Sequence, residues 1–167
     1  MREIVLVPNE ILTTPTVSVL HLTDDILELI QEMKDLMVEH DGVGIAAPQV
    51  GSNLRIGIVQ IDPEDDFLVM INPKIKQING KDIFVEGCLS VPGVFGTVER
   101  AESILLTFTN EEGDQYEMEA DGYLARAIQH EIDHLDGVLF TDKIIDRIQE
   151  EDLEAYYEEY ERGLQDE

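Results

Sequence analysis

The chain is poor in cysteine and lacks tryptophan, with one cysteine among 167 residues. A lone Cys88 excludes an intramolecular disulfide, and a free thiol is poorly suited to an oxidising compartment. No stretch approaches the about 20 consecutive apolar residues that a membrane span requires, and the amino terminus has no apolar signal-peptide core. We therefore expect a cytoplasmic protein with no membrane partner.

Basic side chains are also scarce, because 11 Lys and Arg residues oppose 37 Asp and Glu residues and the formal net charge is -26. Such a charge repels nucleic acid at long range, which excludes direct nucleic-acid binding from the expected functions. An acidic, solvated surface is the simplest interpretation of the excess, and recruitment of a cationic partner is the alternative.

Repeats and flexible linkers are missing as well. No Gly/Ser-rich or Pro-rich segment divides the chain. A hydrophobic content of 43% is enough for one core at this length. We therefore predict that residues 1–167 form a single domain.

The pattern of apolar residues predicts a helix followed by several strands. Apolar positions recur at helical spacing from Asp24 to His40, behind the capping residue Thr23. Short β-branched runs then predict strands at 55–61, 67–75, 83–85 and 104–108, with an alternating segment at 116–120. The Asn79-Gly80 pair predicts a tight hairpin between two of these strands.

Two further helices are predicted in the last third of the chain. One begins after Asp121 and ends near Leu135, with Gly137 as its left-handed cap. An acidic helix is predicted at about 143–164, and its apolar residues are expected to face the body of the protein. These residues are Ile144, Ile145, Ile148 and Leu153. The order helix, strands, helix, helix favours an α+β domain.

The segment from His130 to His134 fits the pattern H-E-x-x-H. Positions i and i+4 lie one helical turn apart, so both imidazoles can reach one metal ion. Glu131 would then lie beside the metal, where a carboxylate can accept a proton from water. The alternative is a pair of surface histidines on an ordinary helix.

Cys88 offers a third ligand, since a thiolate with two imidazoles is an established set. Buried core and nucleophile are the alternatives for this thiol. Its position beside Gly87 and before Leu89-Ser90, in a turn-like segment, favours the ligand.

The run from Gly42 to Gln49 contains small residues that let another backbone approach, and Gln49 adds an amide donor. A phosphate-binding loop is excluded because no Lys-Ser/Thr follows it and the chain is acidic.

Three segments together resemble the signature motifs of the peptide deformylases in order and spacing: Gly42 to Gln49, Glu86 to Ser90, and Gln129 to His134. The resemblance covers the chain from about Val7 to Phe140. It implies mixed or antiparallel β-sheets packed around a central metal-binding helix, with an N-terminal and a C-terminal helix. It also implies a hydrolase that removes the formyl group from the formyl-methionine of nascent chains, releasing formate and a free amino terminus.

The resemblance implies roles for individual residues. The implied metal ligands are Cys88, His130 and His134. They would hold one divalent ion, for which the family favours Fe2+, with Zn2+, Ni2+ and Co2+ as alternatives. Glu131 would take the proton of the attacking water, while the Gln49 amide and the Leu89 backbone N–H would hold the developing oxyanion.

Contacts to the substrate follow from the same resemblance. The substrate would pair as an added strand with backbone near the glycine and cysteine motifs. The residues implied there are Val43, Gly44, Ile45 and Gly87, and the methionine pocket would be lined by Tyr123, Arg126 and Ala127. Glu86 and Arg100 would form a charged pair that supports the cysteine segment, with a weak surface pair as the alternative. Asp133 is either a similar support or an ordinary helix-face charge.

Two features depart from the family pattern. Bacterial relatives commonly dock on the ribosome through a basic C-terminal helix, whereas segment 143–164 is acidic, so transient ribosome association by that mode is not expected. The segment Val94-Phe95-Gly96 is more apolar than is usual there, and contacts near the substrate are expected to differ.

Two other functions fit part of the pattern. A zinc peptidase would also carry H-E-x-x-H, but Cys88 and Gln49 argue against it. A metal-binding or partner-binding module without turnover is the second alternative, and it would have no need of Glu131.

Overall fold

The computed structural model describes residues 2–165, with side chains through residue 162. The helices are α1 (Asp24–Glu39), α2 (Gly122–Leu135) and α3 (Leu153–Gln165). The strands are β1 (Gly44–Ala46), β2 (Ile56–Val59), β3 (Leu68–Asn79), β4 (Asp82–Cys88), β5 (Val91–Arg100), β6 (Ser103–Thr109), β7 (Gln115–Asp121) and β8 (Arg147–Ile148). Within these residues, no helix has both the length and the apolar character that crossing a membrane requires.

Five strands form an antiparallel sheet in the order β1-β2-β3-β6-β7. Successive strand residues point to opposite faces, and each face is covered by a helix. Ile58 packs in the cluster that contains the buried side of α1, whereas Val59 and Met70 pack with α2. The predicted α+β architecture is confirmed, with α2 lying against the inner face of this sheet.

The first two helices agree with their sequence signals. Helix α1 begins at Asp24, and the Thr23 side chain accepts a hydrogen bond from the Ile26 N–H at 3.3 Å. Helix α2 follows Asp121, and Gly137 adopts the left-handed conformation beyond its end, with φ of +80°. The Thr23 cap and the left-handed Gly137 are local features, so sequence alone predicts the start of α1 and the end of α2, whereas the Asp121 side chain makes no capping hydrogen bond at the start of α2.

The remaining strands form a second antiparallel sheet in the order β4-β5-β8. The predicted Asn79-Gly80 hairpin is wrong, because β3 and β4 on either side of it belong to different sheets. Near this turn, residues 74–79 of β3 pair with β6, whereas β4 leaves the first sheet and pairs with β5. Gly80 instead turns the chain from one sheet to the other.

The predicted C-terminal helix at 143–164 begins ten residues too early, since α3 starts at Leu153. Residues 147 and 148 pair with the edge of β5 as β8, and Ile144 packs against Gly96. Strand pairing with a sheet edge therefore overrides the helical pattern of this segment. Ile145, predicted to face the body, is 54% exposed.

The two sheets present unpaired edges to each other. Strand β1 ends the first sheet and β4 ends the second in the strand orders above. Helix α2 packs on the first sheet through apolar residues, while its Arg126 and His130 side chains reach Glu86 on β4. This arrangement leaves a cleft between β1 and β4 above α2.

Candidate active site

A cleft of about 450 Å³ lies between the β1 and β4 edges. The predicted site residues border it except for Ile45, Arg100 and His134, which lie behind its wall. His134 is 1% exposed and the Ile45 side chain belongs to the core beside α1. Residues that are distant in sequence therefore converge on one site, as the three motifs predicted.

The Cys88, His130 and His134 side chains form a compact cluster of donor atoms. Their sulfur and ring nitrogens lie within 4.8 Å of one another, and Cys88 Sγ is 3.2 Å from His134 Nε2. Two imidazoles from one helical turn and a thiol from the end of β4 are a donor set that suits divalent transition metals. The alternative of two surface histidines is wrong, because both rings are largely buried.

Cys88 lies at the last position of β4, where it pairs with Val91 across the Leu89-Ser90 turn. The sequence predicted that Cys88 lies in a turn. In the structure Cys88 is the last residue of β4, and the turn begins directly after it. A tight turn at this point holds the thiol at the strand end, directed at the two histidines of α2.

Glu86 is a buried carboxylate that orients His130. It accepts a hydrogen bond from His130 Nδ1 at 2.9 Å, which leaves Nε2 of that ring free to face the cluster. Burial alone would raise the pKa of Glu86, but the bonds from Arg100 and His130 hold it well below its usual range. Burial alone would likewise lower the pKa of His130, whereas Cys88 and Glu86 raise it to about 10.

Two arginines neutralise Glu86. Arg100 donates to both of its oxygens, at 2.9 and 2.8 Å, and Arg126 donates to one at 2.7 Å. The side chains of Glu86 and Arg100 are 5% and 3% exposed, so the weak surface pair considered for them is wrong. Arg100 also forms an ion pair with Asp133, and Asp133 pairs with Lys143 at 2.9 Å. Asp133 is therefore part of the ion-pair network around Glu86, not an isolated charge on the helix face.

Arg126 borders the cleft, and its predicted part in the methionine pocket stays a prediction. Its guanidinium donates to the backbone carbonyls of Val98 and Asp82, at 2.9 and 2.7 Å, in addition to Glu86. Its guanidinium group forms a buried ion pair with Glu86 and is therefore not available to bind a charged ligand in the cleft. The position of Arg126 in its motif predicted that the residue lies near the pocket. It could not predict that the guanidinium group binds Glu86.

Glu131 is 3% exposed and projects into the site next to Gly44. Burial raises its pKa to about 7. Among the described residues, its Oε1 atom has no hydrogen-bond partner. A side-chain carbon on Gly44 would lie 2.4 Å from Glu131 Oε2, so only glycine leaves room for the carboxylate here.

Gln49 is held in a fixed orientation. Its Oε1 accepts from the Ala46 N–H at 2.9 Å, which directs Nε2 toward Ser90 Oγ at 3.2 Å and Cys88 Sγ at 3.6 Å. Ser90 of the cysteine motif is fully buried, and the sequence alone indicated no role for its hydroxyl. The predicted donor role of the Leu89 N–H stays a prediction.

The edge of β1 presents Gly44 to the cleft. The Val43 carbonyl accepts from the Gln60 N–H on the β2 side at 2.8 Å, whereas the Ala46 N–H points to Gln49 on the opposite side. Alternation along an antiparallel strand then directs the Gly44 backbone away from β2. Across the cleft, the Phe95 ring covers Gly87, at 2.8 Å from where a side-chain carbon would lie.

The fold and this cluster define a metal-dependent hydrolase with a His-Glu-x-x-His helix. A model of the polypeptide deformylase family matches residues 1–150. The chain belongs to the peptide deformylase family, whose members are metal-dependent enzymes.

Individual relatives agree with this assignment. The chain is 45% identical to peptide deformylase 1 of Bacillus cereus over 91% of this chain and 97% of that protein. It is similar to a crystal structure of a peptide deformylase from Legionella pneumophila, with a TM-score of 0.83, 39% identity and 86% of each chain covered. It is also similar to a Met-Ala-Ser-bound class I type b peptide deformylase from Acinetobacter baumannii, with a TM-score of 0.82, 35% identity and coverage of 86% and 99%.

Proposed function

We propose that this cleft hydrolyses the N-formyl group of the formyl-methionine that begins newly made proteins, with Glu131 moving the protons. The observation that carries the proposal is a buried Glu131 carboxylate beside the Cys88, His130 and His134 cluster, with the Gln49 amide next to the thiol. The cleft is lined by residues of β1, β4 and α2, so both sheets and this helix contribute to the proposed catalytic site.

Cys88, His130 and His134 are the residues that would hold the metal, with iron as our first expectation and zinc, nickel or cobalt as alternatives. When bound, the metal supplies a positive charge that lowers the pKa of water and polarises the formyl carbonyl. Glu86 keeps the His130 ring in the tautomer that a ligand needs. A thiolate ligand requires reducing conditions, and we therefore place the protein in the cytoplasm.

Glu131 holds and moves the proton of the reaction. Its carboxylate accepts a proton from water as the water oxygen bonds to the formyl carbon. It then delivers that proton to the amine nitrogen as the C–N bond breaks, leaving formate and a free amino terminus. A pKa raised by burial to about 7 suits a group that must both accept and donate near neutral pH.

Gln49 and the Leu89 N–H would stabilise the negative charge that develops on the formyl oxygen. We expect Gln49→Leu to lower kcat by about 10² to 10³, the typical cost of removing one oxyanion donor. Initial rates on formyl-Met-Ala-Ser would measure this effect. The same change at Gln60, which donates to the Asp65 carbonyl at the surface, is the control and should leave kcat unchanged. Equal rates for the two variants would remove Gln49 from the mechanism.

The peptide would bind as a strand between the edges of β1 and β4, where the Gly44 backbone faces the cleft and Gly87 lies across it. Backbone pairing gives affinity without reading side chains beyond the first residue. The Acinetobacter structure, which holds Met-Ala-Ser, supports a peptide of this size as the occupant.

Gly44→Ala tests whether Glu131 needs the space that this glycine leaves. The new methyl group would lie 2.4 Å from Glu131 Oε2 and must displace it, so we expect kcat/KM to fall by about 10². Gly57→Ala is the matched control, because its methyl group would meet Glu131 Cβ at an ordinary 3.5 Å. A similar small loss in both variants would contradict the packing argument.

Docking of α3 on the ribosome is not part of this proposal. Its exposed side chains include Glu154, Glu158, Glu159 and Glu161, and such a surface is repelled by ribosomal RNA.

Anaerobic formate release from formyl-Met-Ala-Ser tests the function, with metal content determined on the same sample. We expect release that depends on bound metal and no reaction with unformylated Met-Ala-Ser. Cleavage of the unformylated peptide would favour a peptidase instead, and a fully metallated protein that turns over neither substrate would favour a binding module.

A further inference from the structure

Helix α3 lies outside the segment that the family match covers. That match ends at residue 150, whereas α3 spans Leu153–Gln165. Yet Tyr157 of this helix borders the same cleft as Glu131 and Cys88. The wall of the site is therefore completed by a part of the chain to which the family match assigns nothing.

Aromatic contacts hold α3 in this position. The rings of Tyr156, Tyr157 and Tyr160 lie 5.8, 5.7 and 4.8 Å from the ring of Phe84 on β4, measured between centroids. Phe84 also meets the edge of Tyr123, near the start of α2, at 6.2 Å. Phe84 thus joins α3 to α2, the helix that carries His130 and His134. Aromatic pairs of this geometry are attractive.

The three tyrosines are not equivalent. Tyr156 and Tyr160 are partly buried against Phe84, and neither borders the cleft. Tyr157 is 44% exposed and Tyr123 is 46% exposed, and both face the cleft beside Ala127. Partly exposed aromatic rings at the mouth of a cleft indicate a surface that a ligand covers.

The chemistry of this wall suits one part of the substrate. Aromatic rings make favourable contacts with a thioether sulfur, and an unbranched methionine side chain can reach along the wall. An alanine side chain at the same position would be too short to touch it.

We propose that Tyr157 is a specificity-determining residue, whose ring forms with Tyr123 the outer wall of the pocket for the methionine side chain. This inference rests on the proposed function and adds α3 to the substrate site. Without this ring, the end of the methionine side chain would stay in contact with water, whereas the chemistry at Glu131 would be unaffected.

The test compares kcat/KM for formyl-Met-Ala-Ser and formyl-Ala-Ala-Ser in the full-length, metal-loaded protein. We expect Tyr157→Ala to lower the ratio of the two values by about tenfold, because only the methionine substrate loses a contact. The loss should appear mainly in KM. Tyr157→Phe keeps the ring and should keep the ratio.

Tyr156→Ala is the matched control, since it removes a ring that packs on Phe84 and on Tyr157 but does not itself border the cleft. Its ratio should equal that of the wild type, even if its thermal stability falls. Should Tyr157→Ala fail to fold, Tyr157→Leu replaces it. Leucine keeps part of the apolar contact and lacks the ring, so a drop in the ratio that is smaller than for alanine is expected.

Three results would count against the inference. An unchanged ratio in Tyr157→Ala, or an equal drop in Tyr156→Ala, would show that α3 acts only as a structural support. A wild-type protein that releases formate from neither peptide would instead overturn the proposed function itself, and this inference with it.

Discussion

We expect the Glu131→Gln variant to lose about 10² to 10⁴ in kcat on formyl-Met-Ala-Ser, the usual contribution of a positioned general base. Glutamine has the same shape but cannot accept and return a proton. The change also removes a charge that is buried in the native state, so we expect thermal unfolding to stay at or slightly above the wild-type temperature. Bound metal should be unchanged, because Glu131 is not among the clustered donor atoms.

Metal analysis, a melting curve and initial rates on the same preparation separate these effects. Glu99→Gln, an exposed position on β5, is the control for removing one carboxylate from an already acidic chain. Turnover at the wild-type rate in Glu131→Gln would remove this residue from the mechanism, and loss of metal would show that the carboxylate supports the cluster instead.

The largest effect on stability is expected for Glu86→Gln. This change leaves the buried guanidinium groups of Arg100 and Arg126 without the carboxylate that accepts from both. Removing one partner of a buried charge network typically costs about 3 to 5 kcal/mol of the free energy of unfolding. For a chain of this length, that loss corresponds to a melting temperature about 6 to 20 °C lower.

Melting curves for Glu86→Gln should be recorded on metal-free samples, because metal bound to the folded state would add its own stabilisation. Metal affinity or activity should also fall by about 10 to 100-fold, since the acceptor for His130 Nδ1 changes from a charged carboxylate to a neutral amide oxygen. Asp82→Asn is the control, because Asp82 approaches Arg126 only at 3.8 Å and is 38% exposed. A Glu86 variant no less stable than this control would show that the network contributes little.

The elements that the sequence predicted well are those governed by local chemistry. Thr23 caps the start of α1, Gly137 follows the end of α2, and both helices carry an apolar stripe within a few positions of these signals. The His130 and His134 pair needs only one helical turn to come together. Residue chemistry marked Cys88 as a candidate ligand and Gln49 as an amide donor, but only the resemblance to a known family implied that they meet at one site, since spacing by itself cannot bring distant segments into contact.

The errors share a different cause. Strand β1 has only three residues, two of them Gly44 and Ala46, and β5 contains Pro92, Gly93 and Gly96, so neither has the alternation that predicts a strand. Asn79-Gly80 has hairpin chemistry, but whether two strands pair depends on which sheet edges are free. The segment before α3 has helical spacing and pairs with β5 instead, as β8.

Local sequence patterns were enough to predict helices α1 and α2, the residue types that could bind a metal, and the family, because these depend on neighbours within a turn or on contiguous motifs. Only the tertiary structure decided that Arg126 turns its charge toward Glu86, that Ser90 contacts Gln49, and that Tyr157 completes the cleft. Each of these depends on the direction a side chain takes once distant segments have packed together. That direction is set by burial and hydrogen bonding across the fold, which no local pattern contains.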